Sequence, residues 1–187
     1  VKLLDLGGTF NYWKQMGMAG KEELEITLLN TEPQQTEGNI KFILQDAENL
    51  SNFKDREFDV VYSNSLIEHI TMSQKQHKIA SEIKRISKAY FIQTPNYYFP
   101  FEPHFLFPCF QFLPHGLKIW LVKHLPLGWF PKAKTNHEAS EIIKSVRLLK
   151  PKEFSAFFPD AKIFKEKICF LSKSLTAMKA YTYSQNK

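Results

Sequence analysis

Four groups of polar residues each follow a short apolar run, and each is of a type that can hold part of a small ligand. Asp5, Gly7 and Gly8, with Leu6 between them and Thr9 behind, close the run that starts at Val1. Paired glycines let the main chain approach a ligand closely, and the N–H groups opening the next helix are free to bind polar groups. Asn30, Thr31 and Glu32 end a second run, where a polar or acidic side chain can bond ribose hydroxyls. Gln45-Asp46-Ala47-Glu48-Asn49-Leu50 ends a third, and Asp46 can accept from an adenine amino group. Ser63-Asn64-Ser65-Leu66-Ile67-Glu68-His69 ends a fourth. His69 and His104 are the catalytic candidates, because imidazole exchanges protons near neutrality. Plainer roles compete at each position. Gly7-Gly8 makes an ordinary turn, Ser65 can cap a helix with Glu68 in its first turn, and His69 can pack beneath a ligand.

The elements that must position these groups alternate between two periods. Val1 to Leu6, Glu25 to Asn30, Ile40 to Leu44, Phe58 to Tyr62 and Ala89 to Gln93 read as strands bounded by turn residues. Between the last two, Lys75 to Ser87 reads as a helix, with Ile79, Ile83 and Ile86 on one face. Strands separated by crossover-length segments predict a parallel sheet covered on both faces. Ligands of such sheets bind beyond the carboxyl ends of the strands, where the strand order reverses. Past residue 94 the texture changes. Residues 95–131 hold seven of the ten prolines and a dense set of aromatics. A helix over Gly116 to His124 is expected to place Leu117, Trp120 and Leu121 on one face. Order is expected to return over Ala139 to Leu149, then a loop leads into a short helix near Phe154. Two closing strands, Lys162 to Cys169 and Leu175 to Tyr183, are expected to join through Ser172-Lys173-Ser174.

The segments LLDLGGT, QDAENL, FDVVYSNSLIEHI and KRISKAYFIQTPN resemble, in order, the motifs of class I S-adenosylmethionine-dependent methyltransferases of the ubiquinone/menaquinone-methylase-like, type 11 family. The resemblance covers residues 1–96 and extends to the two closing strands. It implies an α/β, Rossmann-like, doubly wound and mostly parallel seven-stranded sheet, with an antiparallel closing hairpin and an aromatic, proline-rich insertion after strand five. It also implies S-adenosylmethionine as cofactor. The methionine part would lie on Asp5, Leu6, Gly7, Gly8 and Thr9, and the ribose on Asn30, Thr31 or Glu32. The adenine would lie on Asp46 and Ala47, and the methyl donor near Ser63, Asn64 and Ser65, with His69 at the end of the same segment. The sequence departs from the family twice. Thr9-Phe10-Asn11 stands where a third glycine is usual, and Asn30 replaces the acid that ends strand two. Dinucleotide and P-loop fingerprints fail, since Thr9 and Tyr12 occupy the later glycine positions of the first and no GxxxxGK[ST] occurs.

One domain spans residues 1–187 on this reading: a cofactor-binding half over 1–96, an insertion or lid over 97–138, and closing helices and strands over 139–187. The expected activity is methyl transfer to a small-molecule or lipid-linked acceptor. The competing reading is a catalytically degenerate methyltransferase-like domain that serves as a binding or scaffold module. Charge is uneven. Residues 1–95 carry 11 Lys and Arg against 13 Asp and Glu, and residues 96–187 carry 14 against 6. The basic half suits an anionic acceptor or peripheral contact with an anionic membrane. No nucleic-acid partner is expected, because proline-broken apolar runs suit burial better than an open stacking platform. Cys109 and Cys169 form no disulfide framework, and neither they nor the histidines show zinc spacing, so no metal site is expected. The expected location is the cytoplasm. The chain opens on Val1 and enters a strand at once, which reads as a chain that has lost whatever preceded that strand.

Overall fold

The apolar runs of the first half become five parallel strands: β1 (Lys2–Leu6), β2 (Glu25–Asn30), β3 (Ile40–Leu44), β4 (Phe58–Asn64) and β5 (Ser87–Pro95). The computed structural model describes residues 1–181. A separate two-stranded hairpin joins β6 (Phe101–Glu102) to β7 (Phe107–Pro108). β8 (Lys162–Ile168) and β9 (Leu171–Lys179) complete the main sheet, in the order β3-β2-β1-β4-β5-β9-β8. β9 runs antiparallel to both of its neighbours. The order reverses between β1 and β4, whose registers place Leu6 opposite Ser63.

Alternating burial places a different helix on each face. α1 (Phe10–Gln15) packs Phe10 and Trp13 against Leu3, Ile26, Leu28 and Ile40. On the opposite face α2 (Ser73–Ile86) packs Ile79, Ala80, Ile83 and Ile86 against Leu4, Leu6 and Leu29, together with Phe154 and Phe157 of α5 (Pro151–Phe157). Each fully buried isoleucine contributes about 1.5–3 kcal/mol through the area it removes from water. Arg85 near the end of α2 ties down the loop between β3 and β4. Its guanidinium donates to the carbonyls of Leu50 and Phe53 and to the carboxylates of Asp55 and Glu82.

The insertion builds a core of its own. Phe105, Phe110, Leu121, Val122, Leu127 and Ala133 pack together with Ala139 from α4 (Asn136–Lys144). This splits the face expected on α3 (His115–His124): Leu121 is buried together with Val122, whereas Leu117 and Trp120 are 44% and 53% exposed. The inward face is chosen by the small aromatic core, which the helical period alone does not show. Gly128 holds this unit shut. A Cβ there would stand 2.0 Å from the His104 carbonyl oxygen, and the next residue, Trp129, donates its N–H to that oxygen.

Two further expectations change. The turn between the closing strands is Cys169-Phe170, not Ser172-Lys173-Ser174. Both turn residues have positive φ, 47° and 70°, the handedness that suits a two-residue hairpin. Ser172 to Ser174 lie inside β9, where Ser174 is buried and its hydroxyl donates to Glu166 at 2.7 Å. The end of the second closing strand expected at Tyr183 falls outside the described residues. Ser65 does not cap a helix. It sits at φ 58°, and the 3₁₀ turn Ile67–His69 has Leu66 before it with no side-chain cap.

The packing of α2 carries a direct test. Ile83 is 1% exposed, so Ile83→Ala should destabilise the fold by about 2–5 kcal/mol, read as a lower urea midpoint with an unchanged slope.

Candidate active site

The crevice at the strand-order reversal is lined by Asp5, Gly7, Gly8, Thr9, Tyr12, Tyr62 and Asn64, and holds about 150 Å³. Gly8 must be glycine, because a Cβ would fall 1.9 Å from Asp5 Oδ2. That close approach follows from the position of Asp5, whose carboxylate is buried and accepts from Trp13 Nε1 at 2.7 Å. Burial pushes the Asp5 carboxyl up to about 7, against the opposing pull of the Trp13 hydrogen bond. Thr9 caps α1 by accepting from the Tyr12 N–H, which fixes the exit of the loop. Gln34 accepts from the Phe10 N–H, a contact with no sequence signal.

The expected binding residues divide into open and committed groups. Gly7, Thr9, Thr31, Glu32, Asp46, Asn64 and Ser65 are exposed. Asn30 is half-buried and donates to the carbonyls of both Gly7 and Gly8, so it braces the glycine loop from β2. Its Oδ1 accepts from the Glu32 N–H. Ser63 is buried, with its hydroxyl on the Leu6 carbonyl. Leu6 and Ala47 are buried, which leaves the main chain as their polar contribution. Asp46 Oδ1 accepts from the Glu48 N–H, and beside it Leu44 ends β3 with 62% of its surface exposed. Donors, acceptors and one uncovered apolar side chain therefore surround the ends of β1 to β4, which suits a ligand with polar and flat apolar parts.

Aromatic residues missed by the sequence motifs line the crevice wall. The Tyr12 and Tyr62 hydroxyls lie 2.7 Å apart, and Tyr62 stacks on Tyr12 and on Phe91. Burial and the Tyr12 hydrogen bond hold the Tyr62 phenol well above its ordinary range, so it stays neutral. Beyond Tyr62 opens a cavity of about 700 Å³. Phe91, Phe99, Phe101, Pro103 and Leu106 supply its apolar wall, and Asn64, Ser65, Gln93, Lys173 and Thr176 its polar groups. The crevice and the cavity share Tyr62 and Asn64.

The two candidate histidines line neither space but meet each other. Their rings are edge to face with centroids 4.9 Å apart. Glu68 lies below them, fully buried, with Oε2 accepting from the Thr94 hydroxyl at 2.9 Å. Burial raises the Glu68 carboxyl to about 7. Burial also opposes charge on His104, but the hydrogen bond its ring donates to Glu102 and the charges of Glu102 and Glu68 outweigh it and raise its pKa. Burial and the neighbouring His104 charge lower that of His69. Glu102 organises the insertion here. It accepts from the N–H groups of His104 and Phe105, and its other oxygen meets His104 Nδ1 at 2.8 Å.

Asp5 supplies a pH test. Its carboxyl titrates near 7 when folded and near 3.8 when unfolded. The folded chain therefore holds a proton that the unfolded chain releases between those values, and stability falls as pH rises through that window. Asp5→Asn keeps an oxygen for Trp13 and removes the titration. The loss of stability between pH 4 and 8 should shrink in that variant by on the order of a few kcal/mol, measured as urea midpoints at each pH.

Known proteins share this fold and part of this sequence. Residues 16–90 match the family model described as a methyltransferase domain. An uncharacterized protein of Mycobacterium tuberculosis is 36% identical over 56 residues, which cover 30% of this chain and only 19% of that protein. Among solved structures, an S-adenosylmethionine-dependent methyltransferase of Methanosarcina mazei superposes with a TM-score of 0.54 at 13% identity, covering 97% of this chain and 93% of its own. One from Aquifex aeolicus gives a TM-score of 0.50 at 11% identity, covering 95% and 80%. At those identities the structural likeness speaks for the fold, and the family model speaks for the sequence. Residues 16–90 thus carry the match to a methyltransferase domain, the chain as a whole shares the fold of S-adenosylmethionine-dependent methyltransferases, and together they indicate S-adenosylmethionine as the cofactor.

Proposed function

We propose that this chain transfers a methyl group to a small-molecule or lipid-linked acceptor with an apolar body, held in the large cavity beside the cofactor crevice. The observation that carries the reading is the shared wall. Tyr62 and Asn64 border both spaces, so a group bound at the end of β4 faces both at once. The residues around the crevice fit the cofactor. The main chain of Gly7 to Thr9 and the Asp5 carboxylate would hold its amino-acid end. Thr31 and Glu32 would hold the ribose beside Asn30, which braces the glycine loop, and Asp46, Ala47 and Leu44 the adenine. Asn64 and Ser65 would stand beside the sulfonium. The bound cofactor supplies an already activated methyl group.

The chain's own part is then to place the acceptor in line and keep water out. The stacked rings of Tyr62 and Phe91 give the acceptor a rigid apolar wall on the sheet side. Phe99, Phe101 and Leu106 face it from the insertion, which on this reading is the lid over residues 97–138. Lys173, ion-paired with Glu166 at 3.3 Å, offers a positive group for an anionic acceptor at one side.

The same reading extends to a membrane surface. Leu117 and Trp120 form an outward apolar ridge on α3, and Leu125 and Trp129 are 41% and 76% exposed nearby in the chain. Lys123, Lys132 and Lys134 are interspersed with them. Among the described residues no helix is long and apolar enough to cross a membrane, so contact would be peripheral.

Calorimetry with S-adenosylhomocysteine tests the first step. Saturable binding is expected, and Asp46→Ala should weaken it several-fold. No binding at high protein concentration would favour a degenerate scaffold domain instead. Sedimentation with anionic vesicles at low salt tests the second. Binding should fall when Trp120→Ala and Trp129→Ala are combined, and absence of binding to the unaltered chain would remove the membrane contact.

A further inference from the structure

The convergence of Glu68, His69 and His104 is not needed to bind the cofactor or to line the acceptor cavity, and its geometry asks for a different occupant. We propose that these three side chains form an open binding site for a divalent transition-metal ion, with Zn²⁺ as the closest match. One ligand atom from each residue lies within 4.8 Å of the other two. One carboxylate and two imidazoles are a donor set that suits zinc and its neighbours rather than magnesium or calcium. Three protein ligands leave a fourth position for water or an acceptor oxygen, the arrangement of a reactive rather than a structural site.

The surrounding contacts leave one free donor on each ligand. Glu102 Oε1 lies 2.8 Å from His104 Nδ1, so that nitrogen carries the proton and Nε2 keeps its lone pair. Nε2 stands 4.0 Å from Glu68 Oε1. A carboxylate behind a histidine in this way is the usual outer support of a metal-bound imidazole. Thr94 holds Glu68 Oε2, which leaves Oε1 as the carboxylate oxygen aimed at the histidines.

Glu68 Oε1 is the independent observation. It is buried, and among the described residues it has no hydrogen-bond partner. Buried carboxylate oxygens are nearly always paired, and one left alone is costly. At 4.0 Å the His104 nitrogen is too far to pair it directly. An ion between them would satisfy all three donors. Metal–ligand bonds of about 2.0–2.2 Å place ligand atoms roughly 3.3–3.6 Å apart, so the Glu68–His104 pair at 4.0 Å needs to close by about half an ångström, and the widest pair, within 4.8 Å, by up to roughly 1.5 Å.

The site also borders the proposed chemistry. His104 follows Pro103, and the 3₁₀ turn carrying Glu68 and His69 begins just past Ser65; Pro103 and Ser65 both line the large cavity. Metal binding itself does not depend on the methyl-transfer reading, so it can succeed or fail separately.

Cobalt titration of the full chain, followed by visible absorption, tests the site. One Co²⁺ per chain should bind with ligand-field bands of nitrogen and oxygen donors, and one equivalent of Zn²⁺ should abolish them. His69→Gln changes a residue with an exposed edge and should leave the circular dichroism spectrum intact while weakening Co²⁺ binding at least tenfold. His104→Gln should do the same. His124→Gln, on the exposed side of α3 outside the cluster, should leave the titration unchanged. No saturable uptake would overturn the proposal, as would uptake that survives both cluster substitutions. Intense near-ultraviolet bands showing thiolate ligation would also overturn it, since they would place the ion on Cys109 or Cys169.

Discussion

The structure depends on what happens between β1 and β4. The two strands lie side by side and parallel, yet the helices that follow them pack on opposite faces of the sheet. The main chains must separate beyond Leu6 and Ser63, and no side chain of either strand can fill the gap. Every feature of the crevice answers that separation. Gly7 and Gly8 turn the chain tightly enough to leave. Asn30 reaches across from β2 to brace their carbonyls, and Ser63 ties β4 back to the Leu6 carbonyl.

Asp5 is the feature whose placement costs stability. A carboxylate this buried is stabilised only in part by one indole N–H, so its charge is resisted near neutral pH. A cationic ligand in the crevice would relieve that cost, because it favours the ionised form. The loop therefore carries an electrostatic demand that a ligand with an ammonium and a sulfonium can meet. The departure from a third glycine matters less than the motif alone suggests. Thr9 supplies the cap of α1, a role that a glycine fills less well.

Much of this was readable from sequence because strand ends in parallel sheets are local features. Asp5 to Thr9, Asn30 to Glu32, Asp46-Ala47 and Ser63 to Ser65 fall at the ends of β1 to β4 because short apolar runs and turn residues mark those ends directly. The turn at Cys169-Phe170 was hidden because neither residue is the glycine or asparagine that usually marks positive φ. The buried face of α3 had no local signal, because its partner is a small core made by residues scattered between Phe105 and Ala139. The meeting of His69 with His104 had no local signal either. It depends on Glu102 folding the insertion around His104 and on Gly128 letting a distant loop press against its backbone.

The central claim is that the cofactor binds at the strand-order reversal. Amide spectra of the isotope-labelled chain, recorded with and without S-adenosylhomocysteine, test it most directly. The account predicts that the resonances of Gly7, Gly8, Thr9, Asp46 and Asn64 shift together and saturate at one ligand per chain, while those of the β8–β9 turn at Cys169-Phe170 stay in place. Saturable shifts confined to the insertion, with the glycine loop unmoved, would contradict it.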